Sequence, residues 1–243
     1  MQIITTAVIK GGTGKTTTAA ALAQAATAAG YKVLAIDLDP QANLTYSLAA
    51  DKEKAGSYEL LHGEPPTIQH TAQGIDTISA SPNLATEQTR QGSAMRLHDA
   101  LMPIKENYSF IFIDTPPQMG ELTFNALQAS TGLLIPLETD ANSLQGLYQI
   151  TDIAKQIQRT NKQLRIFGTI LTRYDNRAKI NRYMQELLTE KGQEIGAPLL
   201  QCIRSGIAVR SAQTLRQSLF DYAPNSNPAQ DYKELFDKLN RTF

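Results

Sequence analysis

Short, nearly continuous apolar runs recur along the chain: IITTAVI (3–9), KVLAID (32–37), IDTIS (75–79), FIFID (110–114), GLLIPL (132–137), RIFGTIL (165–171) and PLLQCI (198–203). Runs of this length without polar alternation predict strands buried on both faces. Between them lie an Ala-rich stretch from Thr16 to Ala29, closed by Gly30, and helical patterns over 93–106, 143–160 and 178–191. Strands and helices that alternate in this way predict an α/β fold, a doubly wound, mostly parallel sheet with helices on both faces. The first two runs are separated by enough chain for a βαβ crossover. Residues 1–243 read as a single domain, in which HGEPPTIQHTAQG (62–74) is an excursion between elements. At the end of the chain, Tyr232, Leu235, Phe236 and Leu239 follow the spacing of one helix face. The charges of that helix are balanced, Lys233, Lys238 and Arg241 against Asp231, Glu234 and Asp237. Packing on the core is therefore expected, without stable membrane association.

The turn after the first run reads KGGTGKTTT (10–18). A loop between a buried strand and a helix binds phosphate when glycines free successive backbone N–H groups to face the helix's positive end. Gly11, Gly12 and Gly14 provide that freedom, and Thr13 completes the loop. Gly14-Lys15-Thr16 matches the second half of G-x-x-x-x-G-K-[ST], where the lysine reaches the β- and γ-phosphates and the hydroxyl binds Mg²⁺. The first half fails, because Ile9 occupies the position of the initial glycine and Lys10 follows it. The strand before the loop and the helix after it supply the context that a working phosphate loop requires.

Two carboxylate-bearing segments support the same reading. IDLDP (36–40) and FIFID (110–114) place Asp37, Asp39 and Asp114 at the carboxyl ends of strands, where open α/β sheets bind ligands. Asp114, closing a buried strand, is expected to hold Mg²⁺ with Thr16, through water. Pro40 stops the second strand and leaves Asp39 in the following loop, placed to polarise an attacking water or to cap the turn.

Composition narrows the function. The chain has 243 residues, 23 basic and 23 acidic, and one cysteine, Cys202. A lone cysteine excludes an intramolecular disulfide and the paired cluster ligands of a nitrogenase-reductase-like electron carrier, and is expected to be a buried structural thiol. No secretory leader and no apolar run of membrane-spanning length is evident, so a cytoplasmic location is expected. Zero net charge hides an asymmetry: residues 155–220 carry 12 basic and 4 acidic residues, net +8, leaving −8 elsewhere. Such polarity suits a polyanionic partner or a solvated helix surface.

Taken together, KGGTGKTTT (10–18), DLDPQANLT (37–45), YSFIFIDTPPQMGELTFNAL (108–127), LIPLETDANSLQGL (134–147), TRYDNR (172–177) and YAPNSNPAQDY (222–232) resemble the ParA/Soj-type partition ATPases. This is the deviant-Walker group of P-loop ATPases that also includes MinD. The resemblance spans nearly the whole chain. It implies ATP and Mg²⁺ as cofactors, Lys15 and Thr17 on phosphate, Thr16 and Asp114 at the metal, and Asp39 in hydrolysis. It also implies that Lys10 reaches the phosphates of a partner subunit in an ATP-dependent homodimer. Non-specific double-stranded DNA and a ParB-like centromere-binding protein are the implied partners, with nucleoid association in the ATP state. Two departures, Ile9 and Thr13 where relatives carry a polar residue and Val, leave the backbone geometry of the loop intact. A third is greater: IRSGIAVR (203–210) lacks the proline of the family's I-P-R segment. Arg204, Arg210 and Arg216 are DNA-contact candidates within the basic segment, with internal salt bridging as the alternative. The chain opens on its first strand, so no N-terminal helix-turn-helix domain is expected. Alternative readings are a MinD-like or ParA-like positioning ATPase acting on a membrane or protein cargo, and a small-molecule kinase.

Overall fold

The structure, a computed structural model, describes residues 1–89, 92–140 and 143–241. Its strands are β1 (Gln2–Thr6), β2 (Val33–Asp37), β3 (Gln69–His70), β4 (Asp76–Ile78), β5 (Phe110–Asp114), β6 (Gly132–Leu137), β7 (Arg165–Tyr174) and β8 (Leu199–Arg204). They form one sheet in the order β3-β4-β2-β5-β1-β6-β7-β8. Every neighbouring pair is parallel except β3 with β4. The helices are α1 (Lys15–Ala28), α2 (Asn43–Ser47), α3 (Ser57–Leu61), α4 (Arg96–Leu101), α5 (Glu121–Ala129), α6 (Ser143–Ile157), α7 (Lys179–Ile195), α8 (Ile207–Thr214), α9 (Leu219–Tyr222) and α10 (Asn227–Asn240).

Strand alternation divides the core. Ile4, Val33, Ala35, Phe110, Phe112 and Leu134 point to one face, where α1, α2, α9 and α10 bury Leu22, Leu44, Leu219 and Phe236 with them. Ile3, Leu34, Ile36, Ile111 and Ile113 point to the other face, under Leu60, Leu97 and Leu122 of α3, α4 and α5. Farther along that face, Leu133, Ile135 and Leu171 pack with Leu147 of α6 and Leu188 of α7. α1 is alanine-rich and buried along most of its length, lying between the sheet and α10. The small alanines around most of its circumference suit that position.

Some expected elements are shorter than the sequence pattern indicates. The first strand ends at Thr6 and the chain then enters the glycine loop. The helix read over 93–106 is confined to Arg96–Leu101, because Pro103 cannot continue it. The 62–74 excursion contains β3, a two-residue edge strand. Cys202 is half-buried among residues packed against the core, less enclosed than its type suggests. Tyr232, Leu235, Phe236 and Leu239 of α10 are buried as expected. No helix among the described residues is long and apolar enough to cross a membrane.

Candidate nucleotide-binding site

β1, β2 and β5 end side by side, with Thr6, Asp37 and Asp114 in register at their carboxyl ends. The glycine loop crosses this edge and enters α1 through Gly14, whose φ of 90° is left-handed. A side chain at Gly14 would be strained, and its Cβ would lie 3.2 Å from Thr172 Cγ2. Gly11 and Gly12 face open space on the outer side of the loop. The loop is thus anchored from within and accessible from outside.

Beneath the loop, Thr16 Oγ1 donates to Asp114 Oδ2 at 2.6 Å. Thr6 Oγ1 approaches the other Asp114 oxygen at 3.5 Å. Lys15 is only 6% exposed, and its Nζ donates to the carbonyl of Lys10 at 2.7 Å. Burial lowers the Lys15 pKa, opposed by Asp114 and Asp39. Asp114 is held well above the usual carboxylate range, first by burial and then by the charge of Asp37. Such a carboxylate beside a hydroxyl is a pair of hard oxygen donors in need of a cation, and fits Mg²⁺.

Asp37 and Asp39 have separate tasks. Asp37 accepts from Thr45 N and Thr45 Oγ1, both at 2.8 Å, and from Asp39 N at 3.0 Å, so it fastens α2 to the sheet. Burial raises its pKa to about 6 even though these donors oppose the shift. Asp39 accepts from Gln41 N at 3.0 Å. It also lines a 510 Å³ cavity with Gly11, Gly12, Lys15, Thr16 and Thr17. The carboxylate therefore both shapes the turn and faces the space beside the phosphate loop.

Lys10 stands outside this cavity lining. Its Nζ donates to Asp140 Oδ2 and lies 3.7 Å from Glu138 Oε2, so its own chain holds it between two acids. Ala141 and Asn142, in the 134–147 segment, lie outside the described residues. Thr17 Oγ1 accepts from Gln213 Nε2 of α8 at 3.1 Å. Thr13 is fully buried, and its hydroxyl has no hydrogen-bond partner.

A second cavity, of 1210 Å³, adjoins the first and shares Gly14, Thr17, Arg173, Arg210, Gln213 and Thr214 with it. Its outer wall is α8, and Tyr232 of α10 contributes to its lining. The arginines proposed from the sequence are separated here. Arg204 is bidentate on Asp231, with Nη2 to Oδ1 at 2.7 Å and Nε to Oδ2 at 3.0 Å. Arg216 bonds carbonyls of Tyr46 and Ala50. Arg210 is exposed where the two cavities meet. Tyr46, Gln213 and Thr214, which also line the first cavity, carried no signal in the residue pattern, because their partners lie in distant segments.

The family model described as AAA domain matches residues 1–166. An uncharacterized protein of Pseudomonas putida is 38% identical over 244 residues, covering 96% of this chain and 92% of that protein. The chromosome-partitioning ATPase Soj of Thermus thermophilus is 31% identical over 234 residues, covering 95% of this chain and 92% of Soj. The chain belongs to the ParA/Soj family of ATPases. Cobyrinic acid a,c-diamide synthase from Mycobacterium smegmatis, solved with ADP and magnesium, superposes on this ParA/Soj-type ATPase with a TM-score of 0.84. It is 29% identical and covers 99% of this chain and 94% of its own. The family assignment agrees with the geometry: the strand, loop and helix that carry Lys15, Thr16 and Asp114 all fall within the matched region.

Proposed function

We propose that this ATPase is a DNA-partition switch that takes ATP with Mg²⁺, dimerises on it and holds duplex DNA without sequence preference. Hydrolysis stimulated by a ParB-like centromere-binding partner releases the DNA. The convergence of Lys15, Thr16 and Asp114 under an open glycine loop carries the nucleotide part of this reading. Lys15 binds phosphate, Thr16 and Asp114 hold the cation, and Asp39 orients the attacking water. The cation supplies charge neutralisation between the phosphates. The adjoining cavity against α8 takes the base and ribose.

Lys10, half-buried and paired with Asp140, is the charge offered to a neighbour's phosphates. A fixed cation at the transferring phosphoryl group stabilises its transition state, so closure of two copies over nucleotide activates both sites. Nucleotide that binds the dimer better than the monomer draws the equilibrium toward the dimer. Exposed Lys179, Arg182 and Arg210 of the basic segment serve as phosphate contacts for DNA. The protein is cytoplasmic, and nucleoid-associated when loaded with ATP.

Light scattering with and without ATP, together with retention of random duplex DNA across a salt series, tests this reading. ATP-dependent dimers and DNA affinity that falls steeply with salt are expected. The absence of both ATP-dependent dimers and salt-sensitive DNA binding would overturn it. Sedimentation with liposomes in ATP would point to a membrane-positioning ATPase, and a phosphorylated metabolite to a kinase.

A further inference from the structure

Among the described residues, four that are not glycine adopt left-handed backbone conformations: Ala42 (φ 55°), Ala49 (φ 62°), Arg173 (φ 52°) and Arg216 (φ 55°). Such conformations are unfavourable for residues with a Cβ and persist where the surroundings over-determine them. Ala42, Ala49 and Arg216 meet at one junction, where the segment after α8 crosses α2. Arg216 Nε donates to the Tyr46 carbonyl at 3.2 Å and Nη2 to the Ala50 carbonyl at 3.0 Å. The guanidinium lies 5.1 Å from the Tyr46 ring centroid, and the Tyr46 hydroxyl donates back to the Thr214 carbonyl at 3.3 Å. Gln73 Nε2 joins the two segments, donating to the carbonyls of Ser47 at 2.8 Å and Arg216 at 3.1 Å.

The Tyr46 carbonyl of α2, which also accepts from Ala49 N at 3.1 Å, and the Ala50 carbonyl just beyond the helix are thus bridged by a cation from a segment about 170 residues away. The other side of α2 is fixed to the sheet by Asp37 and Thr45. Its N-terminus follows directly on the turn that carries Asp39, closed by Ala42 N on the Asp39 carbonyl at 2.8 Å. On the α8 side, Gln213 touches Thr17, and Gln213 with Thr214 lines both cavities.

We infer that Arg216 is a positioning residue for ATP hydrolysis: it straps α2 to the end of α8, and so couples the seating of α8 on the nucleotide to the placement of Asp39. This rests on the nucleotide reading above. Arg216 lines neither of the two nucleotide cavities, so its effect falls on turnover and not on affinity. Its fork, stacked on an aromatic ring and spanning two carbonyls, is a geometry that lysine cannot reproduce.

The test compares the wild-type chain with Arg216→Lys, Arg216→Gly and Tyr46→Phe in steady-state ATPase assays, thermal melting and salt-dependent DNA retention. Glycine suits the left-handed backbone, so Arg216→Gly removes the strap without forcing strain on the fold. Because small misplacements of catalytic groups cost large factors, kcat is expected to fall about tenfold in Arg216→Lys and Arg216→Gly. Tyr46→Phe should lose less. KM for ATP should stay within about twofold, with melting temperature retained and Arg216→Lys binding DNA as wild type does, since the enzyme keeps its fold and charge. Wild-type kcat in both Arg216 variants overturns the strap alone. Full turnover in Arg216→Lys with DNA binding lost in Arg216→Gly also overturns it, in favour of a charge contact to DNA. A wild-type chain that hydrolyses no ATP overturns both this inference and the nucleotide reading.

Discussion

The Thr16 hydroxyl donates to Asp114 at 2.6 Å across 98 residues of sequence, joining the first turn of α1 to the end of β5. Asp114 is fully buried and stands in register with Asp37 on the neighbouring strand. Burial pushes Asp114 upward, and repulsion between the two carboxylates at the carboxyl end of the sheet adds to it. The Thr16 hydroxyl and the Lys15 charge oppose that shift only in part, and a bound cation would offset the rest, as suits a metal site.

Asp114→Asn should separate stability from cation binding. Removing a desolvated carboxylate facing Asp37 leaves the melting temperature unchanged or raised. Turnover falls about 100-fold or more, because the charge that holds the cation is gone. Melting curves and ATPase rates at several Mg²⁺ concentrations check this. An unfolded variant, or one with wild-type Mg²⁺ dependence, would contradict the assignment.

Thr13 makes a second, independent case. Its hydroxyl is fully buried without a partner, while its carbonyl accepts from Thr172 Oγ1 at 2.9 Å. Valine has nearly the same shape and lacks the orphan group. Thr13→Val should therefore raise stability by about 1 kcal/mol, or about 2–4 °C in melting temperature for a chain of this size. Nucleotide affinity should not change, since the loop binds through its backbone. Loss of stability would mean that a solvent molecule satisfies the hydroxyl.

The sheet was legible because its buried strands are mostly apolar and two of them end in the carboxylates Asp37 and Asp114. The glycine loop stood out because Gly14-Lys15-Thr16 keeps half of the phosphate-loop spacing between a buried strand and a helix. The walls of the cavities were not. Helices α2, α8 and α9 are four to eight residues long, too short for a helical period to show. Gln213, Thr214 and Tyr46 are ordinary polar residues whose importance comes from segments far away in sequence. Pro103, which truncates α4, was visible in the sequence, and the apolar pattern around it exaggerated the helix. The basic segment was read correctly as a charge count, but Arg204 and Arg216 spend their hydrogen bonds inside the domain.

Cys202 offers a check on the packing of β8. Burial raises the thiol to about 11 from an ordinary 9.0, with Asp231 adding to the shift and Lys238 opposing it. Burial disfavours the thiolate, so at pH 8 the reactive fraction is about 100-fold below that of an unshifted thiol. Alkylation by a small neutral reagent should be correspondingly slow in the folded protein and accelerate as pH rises toward 11. A free-thiol rate at pH 8 would show that β8 opens readily.

The two lysines of KGGTGKTTT provide the most discriminating comparison. Lys15 is enclosed beneath the loop, whereas Lys10 is held at the surface by Asp140 and Glu138. Lys15→Ala should lose ATP binding. Asp39→Ala should bind ATP and remain dimeric without turning over. Lys10→Ala should bind ATP as a monomer or form a dimer that does not hydrolyse it. Asp140→Ala extends the logic: a lysine relieved of the nearer of its two acids, with Glu138 still 3.7 Å away, reaches a partner at lower cost. The ion pair is partly exposed, and such pairs contribute at most about 1 kcal/mol, so ATP-dependent dimers should form at about two- to fivefold lower protein concentration. Sedimentation at several protein concentrations, with ATP-binding and ATPase assays, measures all four variants. If all lose ATP binding equally, the loop has no division of labour; if Asp140→Ala dimerises more weakly, the acids belong to the interface itself.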